Sequence, residues 1–199
     1  MDNAFTVTLV RHFPTQGNVH KKYIGWTDEP IMSGLKAVNR LGEAKQVLGS
    51  DLLRCRQTAE ILFNDVSYIG SAKLRECSFG IWEKKTYKEL KDNEKYQTWL
   101  EDFYRNAPPE GESLQQLESR VIEGFYEGIS QSNPVIIITH GGPIRALLSK
   151  FVNSSKSFWE WEVPHGSAYT LHWKDKQEVM EGKHCISFSV EHLMEKELL

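Results

Sequence analysis

The sequence has little cysteine, and it has no apolar run that approaches the length of a membrane-spanning helix. Its three cysteines, Cys55, Cys77 and Cys185, are odd in number, far apart and in no CxxC pair. This pattern argues against a disulfide framework or a cysteine zinc site, and it indicates reduced thiols in the cytoplasm. No basic region precedes the first apolar run, so we expect no signal peptide.

An excess of positive charge is also missing. The net charge is −3, so the overall field of the protein does not attract nucleic acid, and we expect neither a nucleic-acid nor a membrane partner. With 199 residues, of which 40% are hydrophobic, the chain is long enough for one core, and we predict a single domain over residues 1–199. We expect a monomer or a homodimer. An anionic ligand would need a local cluster of arginine and histidine.

Two apolar runs end abruptly in polar residues. The first, FTVTLV, is followed by Arg11 and His12, and the second, PVIIIT, is followed by His140. Continuous apolar runs of this length are typical of strands buried on both faces. Pro14 and Pro143 then indicate that a helix begins directly behind each strand. Parallel strands carry ligand sites at their carboxyl ends, and the free N–H groups of a first helical turn favour anions. We therefore predict that the carboxyl ends of these two strands form parts of one anion-binding cleft.

The remaining patterns alternate between strands and helices. This alternation predicts an α/β fold, a three-layer sandwich whose central sheet is mainly parallel and has helices on both faces. Ser50 and Asp51 are expected to cap the helix that carries Arg54, and Ser113 with Gln116 predicts a capping box. The predicted strands cover about 45–51, 66–70, 167–173 and 185–190, and the predicted helices about 33–44, 51–63 and 113–129, with a helical cap excursion at about 75–111.

The polar residues at strand ends and helix starts suit a phosphate. Arg11 and Arg54 offer planar forks of donors that match phosphate oxygens. His12 or His140, when neutral, can attack phosphorus, provided that the proton on its other ring nitrogen is held by an acceptor. A leaving alkoxide would need a nearby carboxylic acid as proton donor. These residues therefore predict phosphoryl transfer through a phosphohistidine.

Motifs for competing phosphoryl-transfer chemistries are missing from the sequence. It contains no thiolate phosphate loop, no DxD pair, no GxxxxGK[ST] and no HxH or HExxH pair. We therefore expect chemistry on histidine without a metal ion or any other cofactor.

The motifs resemble those of the histidine phosphatase superfamily, which includes the cofactor-dependent phosphoglycerate mutases. LVRHFPTQGN is similar to that family's LVRHGxTxxN, and GSDLLRCRQTA is similar to SSxLxRxxxTA. RECSFGIWE, EGESLQQLESRV and ITHGGPIRALL resemble three further family segments in the family's order. The resemblance runs from Thr6 to about Lys150 and implies a phosphoglycerate mutase-like fold.

The resemblance also implies roles for individual residues. His12 matches the phosphorylated nucleophile, and Glu76 matches the proton donor, although Glu83 lies in the same segment. Residues that match phosphate ligands, or lie beside such a match, are Arg11, Asn18, Arg54 and His140, with Thr15, Gly25 and Gly141 as further candidates. We expect the other histidines, His20, His165, His172, His184 and His192, to be structural or exposed, and we expect Phe158, Trp159 and Trp161 to serve packing.

Two departures from the family pattern have structural consequences. Phe13 stands where the family has glycine, and because phenylalanine lacks the freedom of glycine, we expect a narrower and more apolar pocket mouth. The stretch between Ser33 and Ser50 is shorter than in most family members, so the first helix or the second strand must be trimmed.

The leading function is a metal-independent phosphomonoesterase acting on small phosphorylated metabolites. The excursion at about 75–111 is similar to that of alpha-ribazole phosphatases, which implies alpha-ribazole 5′-phosphate as a candidate substrate and a place in cobalamin biosynthesis. Two alternatives stay open at this point. One is a cofactor-dependent phosphoglycerate mutase, and the other is a catalytically silent protein that senses a phosphorylated ligand.

Overall fold

Six strands form one mixed sheet in the order β3-β2-β4-β1-β5-β6. A computed structural model of the protein describes residues 4–39, 41–130 and 135–194. Strands β1 to β4 run parallel, whereas β5 and β6 are antiparallel additions at one side. The strands are β1 (Phe5–Arg11), β2 (Gln46–Ser50), β3 (Ser67–Ser71), β4 (Val135–Thr139), β5 (Ser167–Trp173) and β6 (Ser187–His192).

Helices pack on both faces of this sheet, as the sequence predicts. Side chains of β1 and β4 alternate between two cores, one shared with α5 and α6 and the other shared with α2. The helices are α1 (Gln16–Val19), α2 (Leu53–Leu62), α3 (Tyr87–Leu90), α4 (Glu94–Glu101), α5 (Leu114–Ile129), α6 (Gly141–Phe151) and α7 (Lys176–Met180), with short 3₁₀ turns at Ala72–Leu74, Gly80–Trp82 and Phe158–Glu160. None of the helices in the described ranges is long and apolar enough to cross a membrane.

The parallel pairing of β1 with β4 brings two predicted site residues together. Arg11 lies opposite Thr139 in the register, and the backbone N–H of His12 donates to the carbonyl of Thr139 at 2.9 Å. His12 and His140 therefore leave the sheet side by side. On the other side of β4, β2 leads into α2, whose second residue is Arg54.

The helix predicted over 33–44 is wrong, because the described residues of this stretch are irregular; Arg40 lies outside the described residues. Gly34 has a positive φ of 80°. The backbone N–H of Val38 donates to the carbonyl of Leu193 at 2.9 Å, and Ala37 forms a bridge with Met194. Long-range contacts with the C-terminal strand region thus replace the local hydrogen bonds that a helix needs. Of the two elements that could be trimmed, it is the first helix that is lost from the shortened stretch.

The predicted capping of α2 is also wrong. Its N-cap residue is Leu52, which makes no side-chain capping bond, and Asp51 instead pairs with Arg75. Asp28, from a distant loop, accepts from the N–H of Leu53 at 2.8 Å and takes over the capping role. By contrast, the capping box that opens α5 is confirmed.

Two expectations about the start of the chain need correction. Pro14 precedes Thr15, the N-cap residue of α1, and so lies outside the first helical turn. Phe13 does not narrow the pocket mouth, because its side chain is fully buried in the core beneath α2. Its ring lies 3.2 Å from where a Cβ on Gly166 would be. Phe13 fills space under the irregular stretch that replaces the predicted helix.

We predict that Phe13→Ala lowers the free energy of unfolding by about 3–5 kcal/mol, because it leaves a cavity in a closed core. Denaturant unfolding monitored by fluorescence measures the change. Phe188→Ala is the matched control, since Phe188 is 39% exposed on the edge strand β6, and we expect it to cost about 1 kcal/mol or less. Equal losses for the two variants would contradict the placement of Phe13.

Candidate active site

The ring of His12 is buried at the carboxyl end of β1, and its two nitrogens are in different environments. Nδ1 lies 2.6 Å from the carbonyl oxygen of Phe13. Because a carbonyl can only accept, Nδ1 carries the proton and Nε2 keeps its lone pair. Burial, followed by the proximity of His140 and Arg54, holds the pKa of His12 well below its usual value. His12 is therefore a neutral imidazole with a free nucleophilic nitrogen, and Phe13 supplies the acceptor that such chemistry requires.

His140 packs against His12 and is held by Arg54. The two imidazole centroids are 4.9 Å apart in an edge-to-face arrangement. Nε of Arg54 donates to Nδ1 of His140 at 3.3 Å. Burial first, and then the charge of Arg54, keeps the pKa of His140 well below its ordinary value. A neutral His140 with Nδ1 as acceptor has its proton on Nε2, which lies 3.6 Å from the buried Sγ of Cys55.

The guanidinium of Arg54 is fully buried and is oriented by carbonyl groups. Nη1 donates to the carbonyl of Thr27 at 2.8 Å, and Nη2 donates to the carbonyl of Gly25 at 2.7 Å. No carboxylate among the described residues pairs with it. The positive charge is therefore positioned without being neutralised, which suits an anionic ligand.

Gly25 orients Arg54 and is not itself placed as a phosphate ligand. Its N–H is already used, since it donates to Glu83 at 3.0 Å. A Cβ at this position would lie 1.9 Å from the carbonyl oxygen of Cys77, so the close approach requires glycine. The sequence prediction that Gly25 binds phosphate is corrected accordingly. Glu83 accepts three consecutive N–H groups of this loop, so its role here is to shape the loop.

Arg11 carries a buried donor without a partner. Its Nη2 donates to Nε2 of His165 at 2.9 Å, and its Nη1 donates to the carbonyl of Val163. Its Nε is buried with no hydrogen-bond partner among the described residues. Burial lowers the pKa of Arg11 to about 10, an effect that the nearby Glu76 opposes. A buried N–H that lacks an acceptor is costly, so this atom indicates a ligand with a negatively charged oxygen.

His165 belongs to the site, contrary to the sequence interpretation. Its Nδ1 donates to the carbonyl of His12 at 3.1 Å while its Nε2 accepts from Arg11. Burial, and then the charge of Arg11, lowers the pKa of His165 to about 3. The antiparallel pairing of β5 with β1 brings it here, and the N–H of Gly166 donates to the carbonyl of Arg11 at 3.1 Å. The glycine beside His165 was the only local signal in the sequence.

Glu76 lies in the same cleft and is held by backbone donors. Its carboxylate accepts from the N–H of Gly142 at 3.1 Å and from the N–H of Cys77 at 2.9 Å. Gly142 is in the first turn of α6, directly after His140 and Gly141. A Cβ on Gly142 would lie 2.2 Å from Oε1 of Glu76, so glycine is needed for this approach. The structure thus places the Glu76 carboxylate against the first turn of α6, two residues after His140.

Thr15 and Asn18 bond mainly to each other. The hydroxyl of Thr15 accepts from the N–H of Asn18 at 3.2 Å and donates to Oδ1 of Asn18 at 2.9 Å. Thr15 is fully buried as the N-cap residue of α1. The prediction that Thr15 contacts phosphate is therefore corrected, since its hydroxyl is already used. Gly141 lies against the guanidinium of Arg11, with an added Cβ only 3.4 Å from Cζ.

A cavity of about 450 Å³ opens beside Glu76 and Gly142. Its lining is largely aromatic and also includes Arg145. Cζ of Arg145 lies 5.7 Å from the centroid of the Trp159 ring. Phe158 and Trp159 line this cavity and also pack against each other, Trp159 packs against Phe103, and Trp161 is buried, so all three serve packing as expected. The aromatic lining residues are Tyr23, Phe79, Trp99, Phe103, Phe158 and Trp159.

An α/β sheet that gathers neutral histidines and guanidiniums without carboxylate partners at its carboxyl edge has the donors and the charge of a phosphate-binding class of protein. The comparison with known families agrees with this class. Residues 7–185 match the family described as "Histidine phosphatase superfamily (branch 1)". The chain belongs to the histidine phosphatase superfamily.

Relatives within this superfamily carry two kinds of name. The chain is 33% identical to "Probable phosphoglycerate mutase GpmB" of Klebsiella pneumoniae over 159 residues, which is 72% of this chain and 73% of that protein. It is 30% identical to "Adenosylcobalamin/alpha-ribazole phosphatase" of Salmonella typhimurium over 173 residues, 79% of this chain and 85% of that protein. The solved alpha-ribazole phosphatase of Shigella flexneri has the same fold, with a TM-score of 0.73, 22% identity and 96% of each chain covered.

The buried neutral histidines predict that stability falls in mild acid. The pKa of folded His165 is about 3, whereas an unfolded histidine titrates near ~6.5. Between these two pKa values the unfolded chain binds a proton that the folded chain does not bind. The free energy of unfolding is therefore highest above pH ~6.5 and falls as the pH drops below that value. For this one residue, the free energy of unfolding should fall by about 2 kcal/mol from pH 7 to pH 5.

Denaturant unfolding in phosphate-free buffers at the two pH values tests this prediction. His165→Asn cannot titrate, so we expect its loss between the two pH values to be smaller than the wild-type loss by about 2 kcal/mol. His20→Asn, at an exposed position, is the control and should keep the wild-type dependence. An unchanged dependence in His165→Asn would mean that His165 is not a buried neutral group.

Proposed function

We propose that this protein is a phosphomonoesterase that works through a phosphohistidine on His12. The observation that carries the proposal is the tautomer of His12. Its Nδ1 proton is held by the Phe13 carbonyl, so Nε2 is free to attack phosphorus. The ring is surrounded by Arg11, Arg54 and His140. Glu76 is the carboxylate that offsets part of the positive charge of Arg11. A phosphate monoester dianion fits this arrangement of charge.

In the first step Nε2 of His12 forms a bond to phosphorus, and the ester P–O bond breaks. The electron pair of that bond stays with the leaving oxygen, which takes a proton from the carboxylic acid of Glu76. Arg11 and Arg54 hold the other phosphate oxygens while charge shifts onto them, and His140 packs against the His12 ring beside them.

In the second step water hydrolyses the phosphohistidine. Glu76, now a carboxylate, removes a proton from the attacking water. The new P–O bond forms as the P–N bond breaks, and the electron pair returns to Nε2 of His12. The guanidinium groups supply the positive charge that a metal ion provides in other phosphoryl-transfer sites, so we propose that the reaction needs no metal ion.

The cavity beside Glu76 bears on the choice of substrate. It accepts whatever is attached to the phosphate, and its aromatic lining favours a planar, uncharged leaving group. Alpha-ribazole 5′-phosphate has such a group, and relatives named alpha-ribazole phosphatase support this substrate. We therefore propose it as the substrate, in cobalamin biosynthesis. The free cysteines suit a cytoplasmic location.

A phosphoglycerate mutase is the second candidate, because relatives named as such are equally similar. A small carboxylated substrate would leave most of the aromatic surface without contact. The two functions differ in product, since a phosphatase releases inorganic phosphate, whereas a mutase returns the phosphoryl group to an organic acceptor.

The decisive prediction concerns His12→Ala. It should lower phosphate release by at least about 10³-fold, because the nucleophile is removed. Rapid quench of the wild-type enzyme should trap an acid-labile phosphoenzyme that the variant cannot form. His20→Ala, at an exposed histidine, should behave as wild type. Activity should persist in EDTA, and a strict need for added Mg²⁺ would contradict the metal-free mechanism.

The substrate panel for this assay contains alpha-ribazole 5′-phosphate, 3-phosphoglycerate and p-nitrophenyl phosphate. We expect the highest kcat/KM for the first compound. Formation of 2-phosphoglycerate from 3-phosphoglycerate without phosphate release would favour the mutase. Binding of these compounds without turnover would favour a silent phospho-ligand sensor and would refute the proposed function.

A further inference from the structure

Arg120 of α5 bonds to almost every carbonyl group in the segment that leads to Glu76. It is half-buried and shows 18% of its side chain to solvent. Its Nη2 reaches the carbonyl of Glu76 itself at 3.2 Å. Through Nη1 it donates to the carbonyls of Ala72 at 3.3 Å, Lys73 at 2.9 Å and Arg75 at 3.0 Å. One guanidinium thus fixes the backbone of residues 72–76.

Glu112 extends this arrangement to the other side of Glu76. Both of its carboxylate oxygens bond to Arg120, through Nε at 3.2 Å and through Nη2. Its Oε1 also accepts from the N–H of Ser78 at 3.0 Å. The Arg120–Glu112 pair therefore holds the chain before and after Glu76, and it ties both parts to α5.

Trp26 makes a second contact with the same carbonyl group. Its Nε1 donates to the carbonyl of Glu76 at 3.0 Å. Two guanidiniums lie near its ring, with Cζ of Arg75 at 5.0 Å and Cζ of Arg120 at 5.9 Å from the ring centroid. The side chain is still 42% exposed, so burial of its apolar surface does not account for its position. Hydrogen bonding and cation–π contacts hold it there.

The carboxylate of Glu76 has no side-chain partner among the described residues. The hydrogen bonds that hold it come from the backbone N–H groups of Cys77 and Gly142. Its direction therefore depends on the local backbone, which Arg120 and Trp26 fix. We propose that Arg120 and Trp26 are positioning residues for proton transfer by Glu76. The proposal rests on the proposed function, in which Glu76 protonates the leaving group.

The dependence of the rate on the leaving group separates this role from a merely structural one. An alkyl or ribosyl leaving oxygen needs the proton of Glu76, whereas p-nitrophenolate leaves readily without it. A variant that misplaces Glu76 should therefore lose kcat/KM on ribose 5-phosphate and keep it on p-nitrophenyl phosphate. A variant that only disturbs the fold should lose both equally. The parameter kcat/KM is used because it reports the step in which the ester bond breaks.

Arg120→Met is the first variant, and we expect a loss of about 10²-fold on ribose 5-phosphate with near wild-type kcat/KM on p-nitrophenyl phosphate. Arg120→Lys keeps the charge but cannot reach all four carbonyls, so we expect a smaller loss with the same selectivity. Trp26→Phe, at a partly exposed position, removes only the N–H donor, and it tests the positioning role if Arg120→Met does not fold. Arg105→Met, whose side chain is 81% exposed, is the control without effect.

Glu76→Gln separates a failure of the proton-donor role of Glu76 from a failure of the positioning role of Arg120 and Trp26. It should lose far more activity on ribose 5-phosphate than on p-nitrophenyl phosphate. If it loses both equally, the proton-donor role in the proposed function is wrong. If Glu76→Gln is selective but the folded Arg120 and Trp26 variants lose both substrates equally or neither, the positioning role is overturned.

Discussion

Two guanidinium groups without bonded carboxylate partners, those of Arg11 and Arg54, set the conditions for the rest of the site. Burying a charge is expensive unless it is well hydrogen-bonded. Here main-chain carbonyls accept from both groups, and one imidazole nitrogen accepts from each of them. The loops that supply these carbonyls must approach closely, and the glycine at position 25 allows one of them to do so. Much of the surrounding structure therefore orients positive charge without neutralising it.

Burial, assisted by the same positive charge, keeps the histidines neutral. Desolvation is the main reason that the pKa values of His12, His140 and His165 are lowered, and the nearby guanidiniums lower them further, so each ring offers a defined donor and acceptor. A phosphate would bring the missing negative charge and an acceptor for the orphaned Nε of Arg11. The site is thus prepared electrostatically for an anion, which is how phosphoryl transfer is mainly catalysed.

In the proposed function, specificity and proton transfer depend on a different part of the chain. Residues 72–112 supply Glu76 and much of the aromatic cavity wall, and Arg120 of α5 bonds to the backbone that leads to Glu76. Edge-to-face aromatic pairs hold this region together, including Trp82 with Tyr96 and Phe103 with Trp159. The cleft with the histidines and guanidiniums therefore lies at the edge of the sheet, whereas much of the cavity wall beside it comes from the helical excursion.

The sequence by itself determined the parts of the protein that depend on local order. Apolar runs predict the buried strands, and the capping box predicts the start of α5. The motif residues Arg11, His12 and His140 could be placed at strand ends, and Arg54 could be placed at the start of a helix. Only the tertiary structure decided the rest. His165 joins the site through antiparallel pairing with β1, Asp28 caps α2 from a distant loop, and Phe13 fills a core where a helix was predicted. Each of these depends on contacts between residues far apart in the chain, which no local pattern of side chains encodes.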